Sequence, residues 1–229
     1  MSGARSVTAL VPMRAKSERV PNKNIRPLAG RPLFEWIIET LLASSCVESV
    51  VVNTDSEVIA RGVERLGGRV LWRPPELRGA SIDMRPLIAY DLTQVEGDVF
   101  LQTHGTNPLL RPATVDLAVT AYRSAVAEDC LMSVTRHQSR FYTAQGRPIN
   151  HDPMQLERTQ DLEPVLEENS CLYVFSRDVF ERHGHRVGAH PLLFEIDPLE
   201  AVDIDEEHDF QLAEALMRRR LNETRSDDE

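Results

Sequence analysis

Lysine is nearly missing from this chain. Of 26 lysine and arginine residues only two are lysine, Lys16 and Lys23, and both fall in one short N-terminal segment. Cysteine is scarce as well. Cys46, Cys130 and Cys171 are far apart and odd in number. They match neither a zinc-ligand spacing nor a disulfide framework. Their reading is as small buried hydrophobes in a reducing cytoplasm. No run approaches the ~20 apolar residues of a membrane-spanning helix. The first apolar stretch is soon interrupted by charge and is not expected to act as a signal peptide. No membrane partner is therefore expected. The net charge of −10 lacks the basic surface of a general nucleic-acid binder. GxxxxGK[ST] and GxGxxG are both absent, which removes the P-loop and the dinucleotide fingerprint.

What is present is an ordinary globular composition, 41% hydrophobic and 27% charged over 229 residues. This length supports a full core in one domain spanning 1–229. Short apolar, β-branched runs predict strands at 7–13, 49–54, 70–72, 99–103, 130–135, 171–175 and 192–196. Helices are predicted between them, at 32–44, 56–66, 84–95, 112–124, up to about residue 182, and from about residue 206 onward. In the first helix Phe34, Ile37, Ile38 and Leu41 recur at i, i+3, i+4, i+7 and make one apolar face. Gly67-Gly68 reads as a helix C-cap. The last helix carries Glu206 and Glu207 early and Arg218-Arg219-Arg220 late, which suits its dipole. The polar residues 222–229 are expected to fray.

Alternating strands and helices predict an α/β fold with a mostly parallel sheet covered on both faces. Such sheets bind ligands beyond the carboxyl ends of their strands. The candidate loops are 14–24, 54–56 and 104–111. The alternation breaks at residues 138–168, which lack a helical period and contain three prolines. Phe141, Tyr142, Met154 and Leu156 lie within this stretch. It reads as a projecting arm that packs on a partner.

Three groups of residues carry candidate chemistry. Residues 1–31 hold seven cations against Glu18 alone, a charge of +6, while the rest of the chain carries −16. A cationic loop at a strand end can hold a triphosphate and stabilise pyrophosphate as it leaves. The alternative is a solvated loop in an arginine-rich protein. Asp203-Ile204-Asp205 forms the second group. In an extended segment residues i and i+2 face the same way, so both carboxylates can share one hard cation, Mg2+ beside a phosphate. The alternative is an acidic helix N-terminus. The third group is the polar loop 104–111, with His104, Thr106 and Arg111, at the end of an apolar strand. The scattered His137, His151, His183, His185 and His190 read as loop or surface residues.

These pieces, in this order, resemble the acylneuraminate cytidylyltransferases, the CMP-sialic acid and CMP-Kdo synthetase group. The resemblance runs through VPMRAKSERVPNKNIRPLAGRPLFEW, VNTDSEVIA, WRPPEL, TNPLLRP, ENSCLYVF and VDIDEEHDFQLAEAL. It covers nearly the whole chain. It implies a Rossmann-like three-layer nucleotidyltransferase domain and a homodimer built by exchange of the protruding arm. It also implies reaction of CTP with a 2-keto sugar acid to give CMP-sugar and pyrophosphate. Carried onto this chain, Arg14, Ser17, Lys23 and Asn24 match the triphosphate and ribose loop, with Lys16 beside them. Arg73 matches an arginine near cytosine, and Asp203 and Asp205 match a Mg2+ pair. Arg158, Gln160 and Asn169 fall where the family arranges its sugar site. Three places depart from the family pattern. Glu18-Arg19 replaces Lys-Gly, His104 stands at a glutamine position, and Asn169-Ser170 after Glu168 replaces Asn-Gly.

The expectation is a Mg2+-dependent cytidylyltransferase whose catalytic residues are Arg14, Lys23, Asp203 and Asp205. CTP and an acidic sugar are its partners, and nucleic acid is not. The rival within the enzyme class is another acceptor, a Kdo-like acid or a phosphonate. The rival outside it is a non-catalytic CTP-binding homologue, motivated by Glu18.

Overall fold

The computed structural model describes residues 7–79 and 82–227. Arg5, one of the seven cations counted above, and residues 228–229 of the expected tail lie outside them. The chain opens with strand β1 (Val7–Met13), a 3-10 turn at Lys23–Ile25, and a small hairpin, β2 (Pro27–Leu28) and β3 (Arg31–Pro32). Helix α1 (Leu33–Ala43), strand β4 (Val47–Thr54), helix α2 (Glu57–Leu66) and strand β5 (Arg69–Trp72) follow. Then come α3 (Met84–Gln94), β6 (Val99–Gln102), α4 (Pro112–Ser124) and β7 (Cys130–His137). The last elements are β8 (Val165–Ser176), α5 (Arg177–His183), β9 (Pro191–Glu195) and α6 (Glu207–Asp227).

Seven strands form one sheet in the order β5-β4-β1-β6-β8-β7-β9. β1 pairs in parallel with both β4 and β6, whereas β8 runs antiparallel to β6 and β7. β7 and β9 are parallel again. From β1 the chain first builds β4 and β5 on one side, then returns to place β6 on the other. The carboxyl ends of β1 and β6 therefore flank a topological switch point, where open α/β sheets leave a crevice.

The alternation of β1 explains the two core layers. Ala9 and Val11 face Phe34, Ile37, Ile38 and Leu41 of α1, with Ile59 and Val63 of α2 and Val115 and Val119 of α4. Leu10 faces the other layer, with Phe100, Tyr173 and Phe175 of the sheet, Ile88 and Leu92 of α3, and Val179 and Phe180 of α5. Each such side chain contributes roughly 1.5–3 kcal/mol by leaving water. A third cluster seats Phe210, Ala213 and Met217 of α6 on Val20, Leu28, Leu33 and Leu109. Cys130 and Cys171 are buried and Cys46 half-buried, all as free thiols.

Local signals set the boundaries. Ser56 caps α2, accepting from the Ile59 amide at 3.4 Å, and Gly67 ends it with φ +98°. Two elements exceed their sequence reading. β8 begins at Val165 rather than 171, because residues 165–168 pair with 134–137 of β7. α6 continues to Asp227, past the expected fraying point at 222. Arg218 and Arg219 consequently lie inside the helix, paired with Glu214 and Glu223 at i,i+4 rather than capping its end.

Residues 138–164 link β7 to β8 outside the sheet and are mostly exposed. Asn150 pins their base, donating to the Ser139 and Glu163 carbonyls at 2.8 Å each. Tyr142 bridges Pro148 in a short antiparallel turn. Met154 is 88% exposed and Leu156 is 96% exposed, so the arm carries apolar surface that this chain leaves uncovered.

Candidate active site

A cleft of about 430 Å³ opens at the switch point. Arg14, Ser17, Lys23 and Asn24 from the loop after β1 form one wall, with Glu18 and Arg19 beside them. His104, Gly105 and Thr106 from the loop after β6 form the facing wall. Arg73 after β5 and Ile82, Met84 and Leu87 around the start of α3 form a third side. Asp205 stands at the rim.

Backbone contacts draw these distant segments together. The Ile204 amide donates to the Thr106 carbonyl at 3.0 Å. Lys23 is buried, and its Nζ donates to the Ile204 carbonyl and lies 3.5 Å from Asp205 Oδ1. Arg19 reaches the same carboxylate oxygen at 2.8 Å. Arg26 clamps Glu207 with two bonds of 2.6 and 2.8 Å, and its guanidinium lies 3.9 Å from the Phe210 ring centroid. Asn24 donates to the Arg14 carbonyl at 3.1 Å, and the Ala15 amide donates to Asp55 at 2.7 Å. The basic loop is thus fixed from within and from the C-terminal segment.

Asp203 lies behind Thr106, which hydrogen-bonds its carboxylate. Burial raises its carboxyl above the ordinary range, while Thr106 and Lys23 oppose the shift. Its Oδ1 is buried without a protein partner. An orphaned carboxylate oxygen beside a second carboxylate fits a hard cation. Among the described residues no third His, Cys, Asp or Glu joins this pair as a metal cage. Phosphate oxygens and water would complete a Mg2+ shell, as is usual for that ion.

Arg73 is buried, and desolvation lowers its guanidinium below the usual value. Its Nε donates to Asn53 Oδ1 at 2.8 Å, and its NH2 donates to the Asn53 carbonyl at 3.0 Å and the Met13 carbonyl at 3.3 Å. Asn53 in turn donates to Asp91, whose carboxyl is raised by burial to about 7. His104 is lowered to about 4, first by burial and then by the charge of Arg186, so the ring is neutral at pH 7.

Eight of the predicted residues line the cleft: Arg14, Ser17, Lys23, Asn24, Arg73, His104, Thr106 and Asp205. Asp203 packs directly behind them. Lys16 is exposed and outside the lining, whereas its neighbours Ser17 and Arg19 belong to it. Arg111 faces a separate groove of about 110 Å³, held by Glu200, which accepts its backbone amide at 3.0 Å. Arg158 pairs with Asp161 at 2.6 Å on the exposed arm, and Gln160 is exposed there too. Asn169 is occupied within the sheet. It accepts from Ser133 at 2.6 Å and from the Cys171 amide at 3.2 Å, and donates to Thr135 at 3.0 Å. Arg19, Asn53, Asp91 and Arg186 were not read from sequence as site residues. The 54–56 loop signal pointed near Asn53, but no local pattern marks Asp91 or Arg186.

A switch-point crevice with a basic loop on one wall, Asp205 at its rim and Asp203 behind it is the arrangement of a nucleotidyltransferase-type α/β domain. The profile described as cytidylyltransferase matches residues 8–225, and the chain belongs to that family. N-acylneuraminate cytidylyltransferase A of Danio rerio is 30% identical over 92% of this chain and 50% of its own length. The chain thus spans about half of that protein and of similar relatives. CMP-N,N'-diacetyllegionaminic acid synthase of Legionella pneumophila is 30% identical over 92% of this chain and 96% of its own length. A solved CMP:2-keto-3-deoxy-manno-octonic acid synthetase, complexed with CTP, shares the fold with a TM-score of 0.71. That similarity spans 94% of this chain and 99% of that one at 17% sequence identity. Among the described residues no helix is long and apolar enough to cross a membrane.

Proposed function

We propose that this chain transfers CMP from CTP to the hydroxyl of a 2-keto sugar acid, releasing pyrophosphate. The observation that carries this reading is the joining of the basic loop to the acidic pair through Lys23, which bonds the Ile204 carbonyl between Asp203 and Asp205. Phosphoryl transfer needs mainly positioning and charge, so no protein nucleophile is required. Arg14 and Lys23 stabilise the departing pyrophosphate. Ser17 and Asn24 bind the phosphate and ribose end, and Arg73 faces the base. Asp203 and Asp205 hold Mg2+, which when bound neutralises charge on the phosphate oxygens. His104 and Thr106 contact the acceptor on the facing wall.

The exposed arm is read as the dimer contact. Its apolar tip, Met154 and Leu156, packs on a second copy, and Arg158 and Gln160 are carried toward that copy's cleft. The protein works in the cytoplasm, where its three free thiols stay reduced.

His104 at a glutamine position favours an acceptor different from N-acetylneuraminic acid. The test is pyrophosphate release from CTP and Mg2+ across a panel. The panel holds N-acetylneuraminic acid, N,N'-diacetyllegionaminic acid, 3-deoxy-manno-octulosonate and a phosphonate. Turnover with one acid supports the reading. CTP binding without turnover of any panel member supports the non-catalytic alternative. Asp205→Asn is expected to abolish turnover while circular dichroism stays unchanged, and an active variant would overturn the metal role.

A further inference from the structure

Arg186 lies outside the cleft lining, in the loop between α5 and β9, and reaches the cleft through a second residue. Its guanidinium stacks on Tyr173, 3.5 Å from the ring centroid, and its NH1 donates to Gln102 Oε1. Its Nε is buried without a partner, so the stack and that bond hold it. Tyr173 is itself fixed, donating to Glu168 and lying 3.1 Å from the Ser170 hydroxyl.

A guanidinium has only donors, so it can bond only the oxygen end of the Gln102 amide. This orients the amide unambiguously. Gln102 Nε2 then donates to the Thr103 carbonyl at 2.9 Å and faces His104 Nε2 at 3.4 Å. A ring nitrogen that meets an amide N–H must accept. The proton of the neutral imidazole therefore sits on Nδ1. Asp205 and Lys23 are the other charges acting on the ring.

We propose that Arg186 is a positioning residue which, through Gln102, fixes His104 as an Nδ1–H donor, so that this wall selects an acceptor oxygen, hydroxyl or carboxylate, over a donor or an apolar group. The selection rests on the reading that an acceptor occupies the cleft beside CTP; the relay itself does not.

The experiment uses the full chain labelled with 15N-histidine, with His104 assigned by loss of its signals in His104→Gln. Long-range proton–nitrogen spectra near neutral pH should show the Nδ1–H tautomer. In Arg186→Gln the amide is released and the two tautomers should mix, while Arg186→Lys, which keeps a donor, should retain more of the Nδ1–H form. An Nε2–H pattern in the unaltered chain overturns the relay, as does a pattern unchanged in Arg186→Gln. With N-acetylneuraminic acid or another panel acid as probe, Arg186→Gln should raise the acceptor KM about tenfold, the loss of one hydrogen bond, and leave the CTP KM unchanged. Equal rises in both would reduce Arg186 to a purely structural role. The expected tautomers without turnover of any acid would leave the relay standing and remove the acceptor reading.

Discussion

Replacing Asp91 by asparagine removes a buried ionisable group from behind Arg73. Asp91 is 1% exposed on the inner side of α3, and its carboxyl is raised by burial from 3.8 to about 7. In the unfolded chain it titrates at its ordinary value. Between those two pH values the folded protein holds a proton that the unfolded chain has released. Stability therefore falls as pH rises through this window. Three pH units at 1.36 kcal/mol each give about 4 kcal/mol as an upper bound. The bond from Asn53 and the charge of Arg73 already oppose the shift within the value of about 7. Asparagine keeps an oxygen for the Asn53 amide and does not ionise. The assay is urea denaturation of both proteins at about pH 5 and about pH 8, following the difference in unfolding free energy between them. Other titrating groups cancel in that difference. It should move in favour of Asp91→Asn as pH rises, by up to about 3 kcal/mol, because only the roughly two units from about pH 5 to about pH 7 of that window lie between the two measurements. A difference that stays flat, or moves toward the unaltered protein, refutes the buried raised carboxyl.

Lys23→Met removes the ammonium that joins the basic loop to the Ile204 carbonyl. A loss of about 1.5–3 kcal/mol is expected for that charge-assisted bond, read as a lower Tm by thermal denaturation. Gly62→Ala places a Cβ 2.3 Å from Phe34 Cζ, where α2 crosses the buried Phe34 ring of α1. Overpacking of about 1–3 kcal/mol should exceed the gain in helix propensity, so the variant should melt earlier despite its better helix former. Ser170 sits at φ +58°, where the family pattern has glycine. Ser170→Gly should relieve roughly 1–2 kcal/mol of left-handed strain, less the contact with Tyr173, and raise the urea midpoint.

The legible parts of this protein were those encoded by near neighbours in sequence. β1 and α1 followed from apolar runs and a 3.6 period, and Gly67 marked the end of α2. Residues 14–24 and Asp203/Asp205 stood out because like charges or paired carboxylates cluster within a few positions. The start of β8 was hidden, because Glu167 and Glu168 interrupt the apolar pattern and become strand only by pairing with Thr135 and Val134. The antiparallel sense of β8 was hidden for the same reason, since strand direction depends on a partner far away in the chain. Asp91, Arg186 and Arg19 gain their roles from residues 38, 84 and 186 positions away respectively. Asn169 shows the same limit from the other side: a motif position suggested sugar contact, and only the fold reveals that its amide also holds Ser133, Thr135 and Cys171 within the sheet.

The contact between Lys23 and the Ile204 carbonyl spans 181 residues. During synthesis the basic wall emerges early, but the segment that locks it and carries Asp203 and Asp205 emerges only after the last strand, β9. The sheet can therefore form around a cleft that is still open on one side. On the proposed function, triphosphate binding would wait until residues 203–217 dock, so that a ribosome-bound intermediate would carry a formed sheet and an incomplete cleft.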